Sequence, residues 1–242
     1  MFTSCCPAWV KFAEQSFPEL LTNLSTCMSP QSMVGSLAKR TIPEELGLPA
    51  ENVKVVSIMP CTAKKYEAQR SELSRGGEPL VDHVLTTAEL GRMIQEAGIR
   101  FAELKPDSLD LPMGLSSGAG VIFGNSGGVA EAVVRYLGAG SKGNRTSGEG
   151  ADAGRGAPIE LESLRGERGV KAATVELGGQ EVRIAVVQGI ANAKRLAREI
   201  REGKVEFDLV EVMACPGGCI GGAGQPVSFD TDIQRRRRER LY

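Results

Sequence analysis

Six cysteines, at positions 5, 6, 27, 61, 215 and 219, carry most of the chemistry legible in this 242-residue chain. Secreted disulfide domains are short and cysteine-dense, and this chain is neither, so its thiols are expected to be reduced. Five of the six stand in segments bearing glycine, proline or lysine, a pattern that points to metal ligands or catalysis rather than bridges. Cys6, Cys61, Cys215 and Cys219 supply four thiolates from three segments, the number that commonly holds an iron–sulfur cluster. A structural zinc takes the same number, and spacing alone leaves the two equally open. Cys215-x-x-x-Cys219 puts two sulfurs on one face if that segment is helical. The surrounding glycines, in PGGCIGGAG, let backbone N–H groups approach sulfur closely and so tune a reduction potential. The Cys5-Cys6 pair precedes Pro7, which suits a first helical position, and a helix N-terminus favours thiolate. Cys27 stands alone and reads as a small buried hydrophobe.

These groups need a frame. Residues 7–21 read as a helix with Trp9, Phe12, Ala13 and Phe17 on one face. Ser29-Pro30 opens a second helix that runs to about Lys39. Residues 52–59 read as a buried strand ended by Pro60-Cys61, and 81–86 as a second strand. Thr86 or Thr87 then caps a helix that stops at Gly98. Residues 118–123 (GAGVIF) read as a strand entering the turn GNSGG, followed by a helix over about 129–137. Residues 138–157 read as a surface insertion loop. The stretches 170–179 and 180–189 are strands joined through Gly178-Gly179. A helix over 190–203 follows, then an apolar strand over 208–213 that delivers Cys215. The tail, 231–242, is polar and carries arginines at 235–238; it reads as a solvated helix or a frayed end. Alternating strands and helices give an α/β class with mixed or parallel sheets flanked by helices. Met59-Pro60-Cys61 and Met213-Ala214-Cys215 both end apolar strands, where such sheets place active sites. GNSGG resembles a phosphate cradle but lacks the P-loop lysine and a dinucleotide fingerprint. His83, inside a strand, reads as structural.

Whole segments say more than spacing. Thr3-Ser4-Cys5-Cys6-Pro7-Ala8-Trp9 is one. Met59-Pro60-Cys61-Thr62-Ala63-Lys64-Lys65-Tyr66-Glu67 is the second. Glu211-Val212-Met213-Ala214-Cys215-Pro216-Gly217-Gly218-Cys219, continued by Ile220-Gly221-Gly222-Ala223-Gly224-Gln225-Pro226, is the third. In this order they resemble the three signature segments of iron-only (FeFe) hydrogenases, nearly complete. Residues 24–39 and 118–135 resemble the same family. The likeness covers almost the whole chain and is strongest toward the catalytic subunit of NAD(P)-linked multimeric hydrogenases.

The resemblance implies the iron-only hydrogenase large-subunit fold and the H-cluster, a 4Fe-4S cubane joined through one cysteine sulfur to a diiron centre. That centre carries carbon monoxide, cyanide and an azadithiolate bridge. On matching positions Cys6, Cys61, Cys215 and Cys219 hold the cubane, and Cys219 bridges to the diiron centre. Cys5 matches the proton-relay thiol and Lys64 the lysine that hydrogen-bonds a cyanide. Met59 and Met213 match methionines packed on the diiron site. Ser25 and Glu67 match relay or supporting polar positions, and Pro30, Gln31 and Phe123 match other pocket residues. The GNSGG turn matches a pocket-lining turn. Implied partners are dihydrogen and protons, ferredoxin or NAD(P)H-linked electron-transfer subunits, and H-cluster maturation proteins. Outside these motifs the same residues have ordinary readings. Lys64-Lys65 would be a solvated pair, Glu67 a surface carboxylate, Ser25 a loop cap before Ser29, and the methionines core residues.

The chain starts almost on the first signature, whereas family members have a sizeable part of the catalytic domain before it. The resemblance therefore implies a partial H-cluster domain over 1–242, lacking the N-terminal portion and inactive alone. No C-x₂-C-x₂-C run for upstream clusters occurs. Lysine plus arginine total 29 against 30 acidic residues, which argues against nucleic acid or an anionic membrane as a partner. No apolar run reaches the ~18 residues of a membrane span, and residues 1–6 lack the pattern of a secretory signal; a cytoplasmic location is expected. A hydrogen sensor or an iron–sulfur assembly protein is the alternative class. The assembly reading predicts loss of Cys5, Lys64 or the methionines, and all are present.

Overall fold

The computed structural model describes residues 1–110, 114, 118–140, 169–177 and 179–241. Most of the insertion expected at 138–157 lies outside the described residues. The chain divides into two compact units. The first comprises Met1–Ser25, Gly118–Ile220 and Gln234–Tyr242; the second comprises Thr26–Ser117 and Gly221–Ile233. The architecture is mixed α/β, with small parallel and antiparallel sheets among helices.

In the first unit, helix α1 (Pro7–Ser16) begins at the expected proline. Trp9, Ala13 and Phe17 are buried together, with Phe12 half-buried against them. Helices α5 (Gly118–Ile122) and α6 (Gly128–Gly140) flank the GNSGG turn. Strands β5 (Val170–Leu177) and β6 (Gln180–Gln188) form the expected antiparallel hairpin, in register from Val170 opposite Val187 to Leu177 opposite Gln180. Helix α7 (Ile190–Arg201) buries Ala193, Leu196 and Ala197, the i, i+3, i+4 face of an amphipathic helix. Strand β7 (Leu209–Met213) is buried along its whole length and pairs in parallel with β6. Its other edge is taken by the start of the chain. Phe2 bridges Val210 in parallel, and the Thr3 N–H donates to the Val210 carbonyl at 2.9 Å. Helix α8 (Ile233–Glu239) holds the arginine run.

The expected strand over 118–123 is instead helix α5. Val121 and Ile122 are β-branched and read as extended, but both edges of β7 are occupied and no ladder is left there for them. The Asn125 N–H instead donates to the Ile122 carbonyl at 3.0 Å, closing a tight turn between α5 and α6.

In the second unit, helix α2 (Pro30–Leu46) starts with Ser29 as N-cap and runs past Lys39, with Pro43 inside it. Gly47, at φ +62°, ends it in the left-handed region that glycine favours. Strand β1 (Val56–Met59) leads into helix α3 (Ala63–Ala68). The short strands β2 (Ser74–Arg75) and β3 (Glu78–Pro79) form a hairpin. Strand β4 (His83–Thr86) pairs in parallel with β1, and helix α4 (Thr87–Glu96) follows. Thr86 caps α4 in a reciprocal capping box with Glu89. His83 is exposed. Among the described residues no helix is long and apolar enough to cross a membrane.

Candidate metal centre

Cys6 is the N-cap of α1, half-buried, with extended backbone. The Ala214 N–H donates to its Sγ at 3.5 Å, so the first signature lies against the backbone just before Cys215. The zipper that joins them continues below: the Val210 N–H donates to the Met1 carbonyl at 2.8 Å and the Val212 N–H to Thr3 Oγ1 at 3.3 Å. Met213 is buried at the end of β7, and Cys5, Cys215 and Cys219 are half-buried.

The loop from Cys215 to Cys219 is fixed from two sides. Gln188, buried at the end of β6, accepts from the Gly217 N–H at 3.0 Å through Oε1. The turn after Phe123 supplies the rest: the Ser126 N–H donates to the Gly217 carbonyl at 3.2 Å, and the Ile220 N–H to the Gly124 carbonyl at 3.0 Å. Gly218 has φ +90°, and a Cβ there would fall 2.4 Å from the Ser126 nitrogen. Only glycine allows this conformation and this approach together.

The acceptor held by the GNSGG turn is the chain's own. Glu211, fully buried on β7, accepts from the Gly127 N–H at 2.6 Å and the Ala130 N–H at 2.8 Å, at the start of α6. Burial pushes its carboxyl up to about 7, against the pull of hydrogen bonds from Ala130, Gly127 and Val129. The phosphate-cradle likeness is therefore filled from inside: Glu211 satisfies the helix N-terminus.

In the second unit Cys61 follows Met59-Pro60 at the end of β1, and both Met59 and Cys61 are half-buried. The backbone at Gly224 packs onto this corner. Its N–H donates to the Pro60 carbonyl at 3.0 Å, and a Cβ there would sit 2.9 Å from the Cys61 nitrogen. One helical turn beyond Cys61 lies a buried polar cluster. Lys64 Nζ pairs with Glu67 Oε2 at 2.6 Å, with side chains only 9% and 6% exposed. Glu67 Oε1 accepts from the Ser32 hydroxyl at 3.0 Å and from the Ser29 hydroxyl. Gln31 is buried beside them; its Nε2 donates to the Lys64 carbonyl at 3.5 Å, and its Oε1 accepts from Ser57 Oγ at 2.7 Å. Pro30, half-buried, opens the helix that carries Gln31 and Ser32.

The second unit thus gathers Pro30, Gln31, Met59, Cys61, Lys64 and Glu67. The first contains Cys5, Cys6, Phe123, Met213, Cys215 and Cys219. Ser25 also belongs to the first, where its N–H donates to the Phe2 carbonyl at 2.8 Å. Lys64 and Glu67 are buried, not the surface groups their ordinary readings made them. Lys65 is the outward member of the pair and bonds Glu89 Oε1 at 2.6 Å. Cys27, read as a buried hydrophobe, is exposed: it sits in the turn ahead of the α2 cap, where no core forms. Sequence reasoning missed Ser29, Ser32, Ser57, Gln188 and the role of Glu211. A serine at the N-cap and another one turn later was the available signal for the first two.

A family profile described as "Iron only hydrogenase large subunit, C-terminal domain" matches residues 1–223. The chain belongs to this family. It is 44% identical over 243 residues to the NADP-reducing hydrogenase subunit HndD of Solidesulfovibrio fructosivorans, covering all of this chain and 40% of that one. It is 44% identical over 242 residues to the periplasmic Fe hydrogenase large subunit of Nitratidesulfovibrio vulgaris, covering all of this chain and 55% of the relative. The cytosolic iron–sulfur assembly component 3 of Mus musculus is 33% identical over 254 residues, with all of this chain and 50% of that one covered. The structure of apo FeFe-hydrogenase HydA1 from Chlamydomonas reinhardtii superposes with a TM-score of 0.78 at 35% identity, covering all of this chain and 65% of that one. This chain therefore spans about half the length of the curated relatives it matches.

Several features fit the iron–sulfur chemistry of an iron-only hydrogenase. The candidate ligands are all thiols, and the Gly217-Gly218 cradle would be closed by any Cβ at Gly218. Asn125 and Ser126, in the turn that seats this loop, keep buried polar side-chain atoms without a partner among the described residues. Among the described residues no three His, Cys, Asp or Glu side chains are grouped to hold a single metal ion. A cubane attaches each thiolate to a different iron and does not require the tight grouping of a single zinc.

Proposed function

We propose that this chain carries the cluster ligands and proton-handling side chains of a hydrogenase that interconverts dihydrogen with protons and electrons. Cys6, Cys61, Cys215 and Cys219 would hold a 4Fe-4S cluster, and Cys219 would also serve a diiron centre bearing carbon monoxide, cyanide and azadithiolate. When bound, that group supplies an electron reservoir and an open metal position at which hydrogen is made or split. The chain's own residues do the rest. Cys5 supplies a thiol, a group that can both give and take a proton. Lys64 presents a compact donor to a cyanide nitrogen. Glu67, steadied by Ser29 and Ser32, fixes that ammonium and offsets its buried charge. Pro30, Gln31 and Met59 in the second unit, and Phe123 and Met213 in the first, are the proposed cofactor-contacting residues. Ser25 is a relay position.

The buried Lys64–Glu67 pair one turn past Cys61 carries this reading. Cys5 and both methionines are also present, and identity to hydrogenases exceeds that to the assembly component, 44% against 33%. The likeness to the assembly component keeps that role as the second reading. Turnover, partners and location are proposed for the longer protein that the relatives outline. Its electrons come from ferredoxin or NAD(P)H-linked subunits, maturation proteins load the diiron centre, and it is cytoplasmic. For these 242 residues alone the proposal is a bound cubane without hydrogen turnover.

Anaerobic reconstitution with iron and sulfide tests the ligand set. The expected product is brown, with iron and acid-labile sulfide in the amount of one cubane, and Cys61→Ser or Cys215→Ser loses it. A colourless product with stoichiometric zinc overturns the proposal. In a full-length matured protein, Cys5→Ser abolishes hydrogen evolution from reduced viologen while the cluster stays assembled, and Cys219→Ser prevents assembly of the bridged site. Unchanged turnover in Cys5→Ser removes the relay assignment. Absence of turnover in the intact matured protein favours the assembly reading.

A further inference from the structure

Two adjacent side chains in the first unit are buried without hydrogen-bond partners among the described residues. They are Asn125, at both polar atoms of its amide, and Ser126, at its hydroxyl. They are 3% and 1% exposed. Folded proteins pair the great majority of such groups, because an unmade hydrogen bond in a low-dielectric interior is costly. The turn does not need these side chains to close. Backbone bonds already do so: the Asn125 N–H to the Ile122 carbonyl at 3.0 Å, and the Gly128 N–H to the Asn125 carbonyl at 3.1 Å. Below, Glu211 takes the N–H groups of Gly127 and Ala130.

Their position suggests what the side chains serve. The Asn125–Ser126 backbone is the seat of the loop between Cys215 and Cys219. The Ser126 N–H holds the Gly217 carbonyl, and the missing Cβ of Gly218 would meet the Asn125 carbonyl carbon at 2.8 Å and the Ser126 nitrogen at 2.4 Å. Gly218 directly precedes Cys219. A third orphan, Trp9 Nε1, sits in the apolar core where the Phe2 and Phe12 rings pack, with centroids 5.5 and 6.3 Å away.

We propose that Asn125 Nδ2 and Ser126 Oγ donate hydrogen bonds to sulfur of the iron–sulfur unit held through Cys215 and Cys219, and thereby raise its reduction potential. The inference rests on the reading of those cysteines as cluster ligands. Cluster and cysteinyl sulfur are anionic and gain negative charge on reduction, so donors stabilise the reduced form more than the oxidised form. Donation by Nδ2 and Oγ removes two of the orphaned atoms at once. In the metal-free chain the same groups are a burden, so the two states should respond to substitution in opposite senses.

The test uses Asn125→Leu, Ser126→Ala and the double variant in the 242-residue chain, reconstituted anaerobically with iron and sulfide. All should take up one cubane. Electron-paramagnetic-resonance titration should show the midpoint potential of the double variant displaced to more negative values. The expected size is roughly tenfold in the one-electron equilibrium, about 59 mV. Ser126→Thr, which keeps the hydroxyl, should restore the potential relative to Ser126→Ala. The melting temperature of the metal-free chain should be unchanged or higher in the apolar variants, which a purely structural role would not allow. Variants that assemble the cubane at an unaltered potential overturn this inference and leave the ligand reading standing. Failure of the unsubstituted chain to assemble a cubane overturns both. Should the double variant not fold, the Ser126→Ala and Ser126→Thr pair decides by the same potential measurement.

Discussion

Both hydrophobic clusters found among the described residues lie in the first unit. One gathers Phe2, Trp9, Ala13, Phe17 and Leu20 with faces of β6, β7 and α7; the other gathers Ala130, Val134, Val175, Ile184, Val186 and Leu209. Among its described residues the second unit buries few apolar side chains, Ala38, Pro43, Leu80 and Val81. It holds instead the buried Lys64–Glu67 pair with its serines, and Lys39 against Asp82 at 2.9 Å. Its parallel pair β1–β4 leaves Val56 and Ile58 about half exposed, although parallel strands are ordinarily covered on both faces. Apolar packing therefore anchors α1 and β7, the elements that flank the cysteines of the first and third signatures, whereas the region around Cys61 rests on directional polar bonds. Packed apolar cores tolerate changes of pH and salt; buried charge clusters tolerate no missing member.

Substitutions can break or sharpen this contrast. The largest effect is expected from Trp9→Ala, fully buried in the first cluster. It should cost about 3–5 kcal/mol in urea unfolding; a loss below about 1 kcal/mol would dissolve the contrast from the apolar side. Next, Glu67→Gln removes the carboxylate paired with the buried Lys64 ammonium, at a cost of about 3 kcal/mol. The paired change Lys64→Met with Glu67→Leu should recover most of that stability, and hydrogen exchange in α3 should report both results.

Glu211 sharpens the comparison, because it is a buried acid inside the apolar unit. Its folded pKa of about 7 lies above the ordinary 4.5, so the folded state binds the proton more tightly than the unfolded state does. Its contribution is greatest below pH 4.5 and is lost as pH rises through 7, by up to about 3 kcal/mol. Glu211→Gln should flatten that part of the pH profile of urea midpoints; an unchanged slope would mean that the carboxyl is ionised throughout. Smaller again, Gly218→Ala should cost about 1–2 kcal/mol for the left-handed backbone alone, and more as Ser126 is displaced, read as a lower melting temperature. Thr86→Ala removes the α4 cap in the second unit and should cost about 1 kcal/mol by the same measurement.

Local signals were read correctly where local physics decides. The β5–β6 hairpin follows from the glycine pair between two apolar stretches, and the α4 start from the threonines at 86 and 87, of which Thr86 is the cap. Residues 118–122 were misread because Val121 and Ile122 favour strands locally. What decides there is the occupancy of the β7 edges, by β6 and by Phe2, which no window of sequence contains. The candidate site divides in the same way. The cysteine segments announce themselves by composition, and Gly217-Gly218 by the need for left-handed turns. That Glu67 meets Ser29 and Ser32, or that Glu211 meets Gly127, depends on packing between elements 35 to 84 residues apart. Cys27 went wrong for a related reason: its burial depends on what covers a turn, and nothing local encodes that.

The seam between the first signature and β7 has a consequence for biosynthesis. Cys6 and the Ala214 N–H that bonds its sulfur are 208 positions apart. At bacterial or eukaryotic elongation speeds of about 5–20 residues per second, the leading thiols leave the ribosome roughly 10–40 s before their partner strand exists. During that wait a vicinal pair of thiols is open to oxidants and stray metal ions. On the proposed ligand set, a cluster held by both Cys6 and Cys219 could form only after the ribosome had passed the last signature, so Cys5 and Cys6 would have to stay reduced until then.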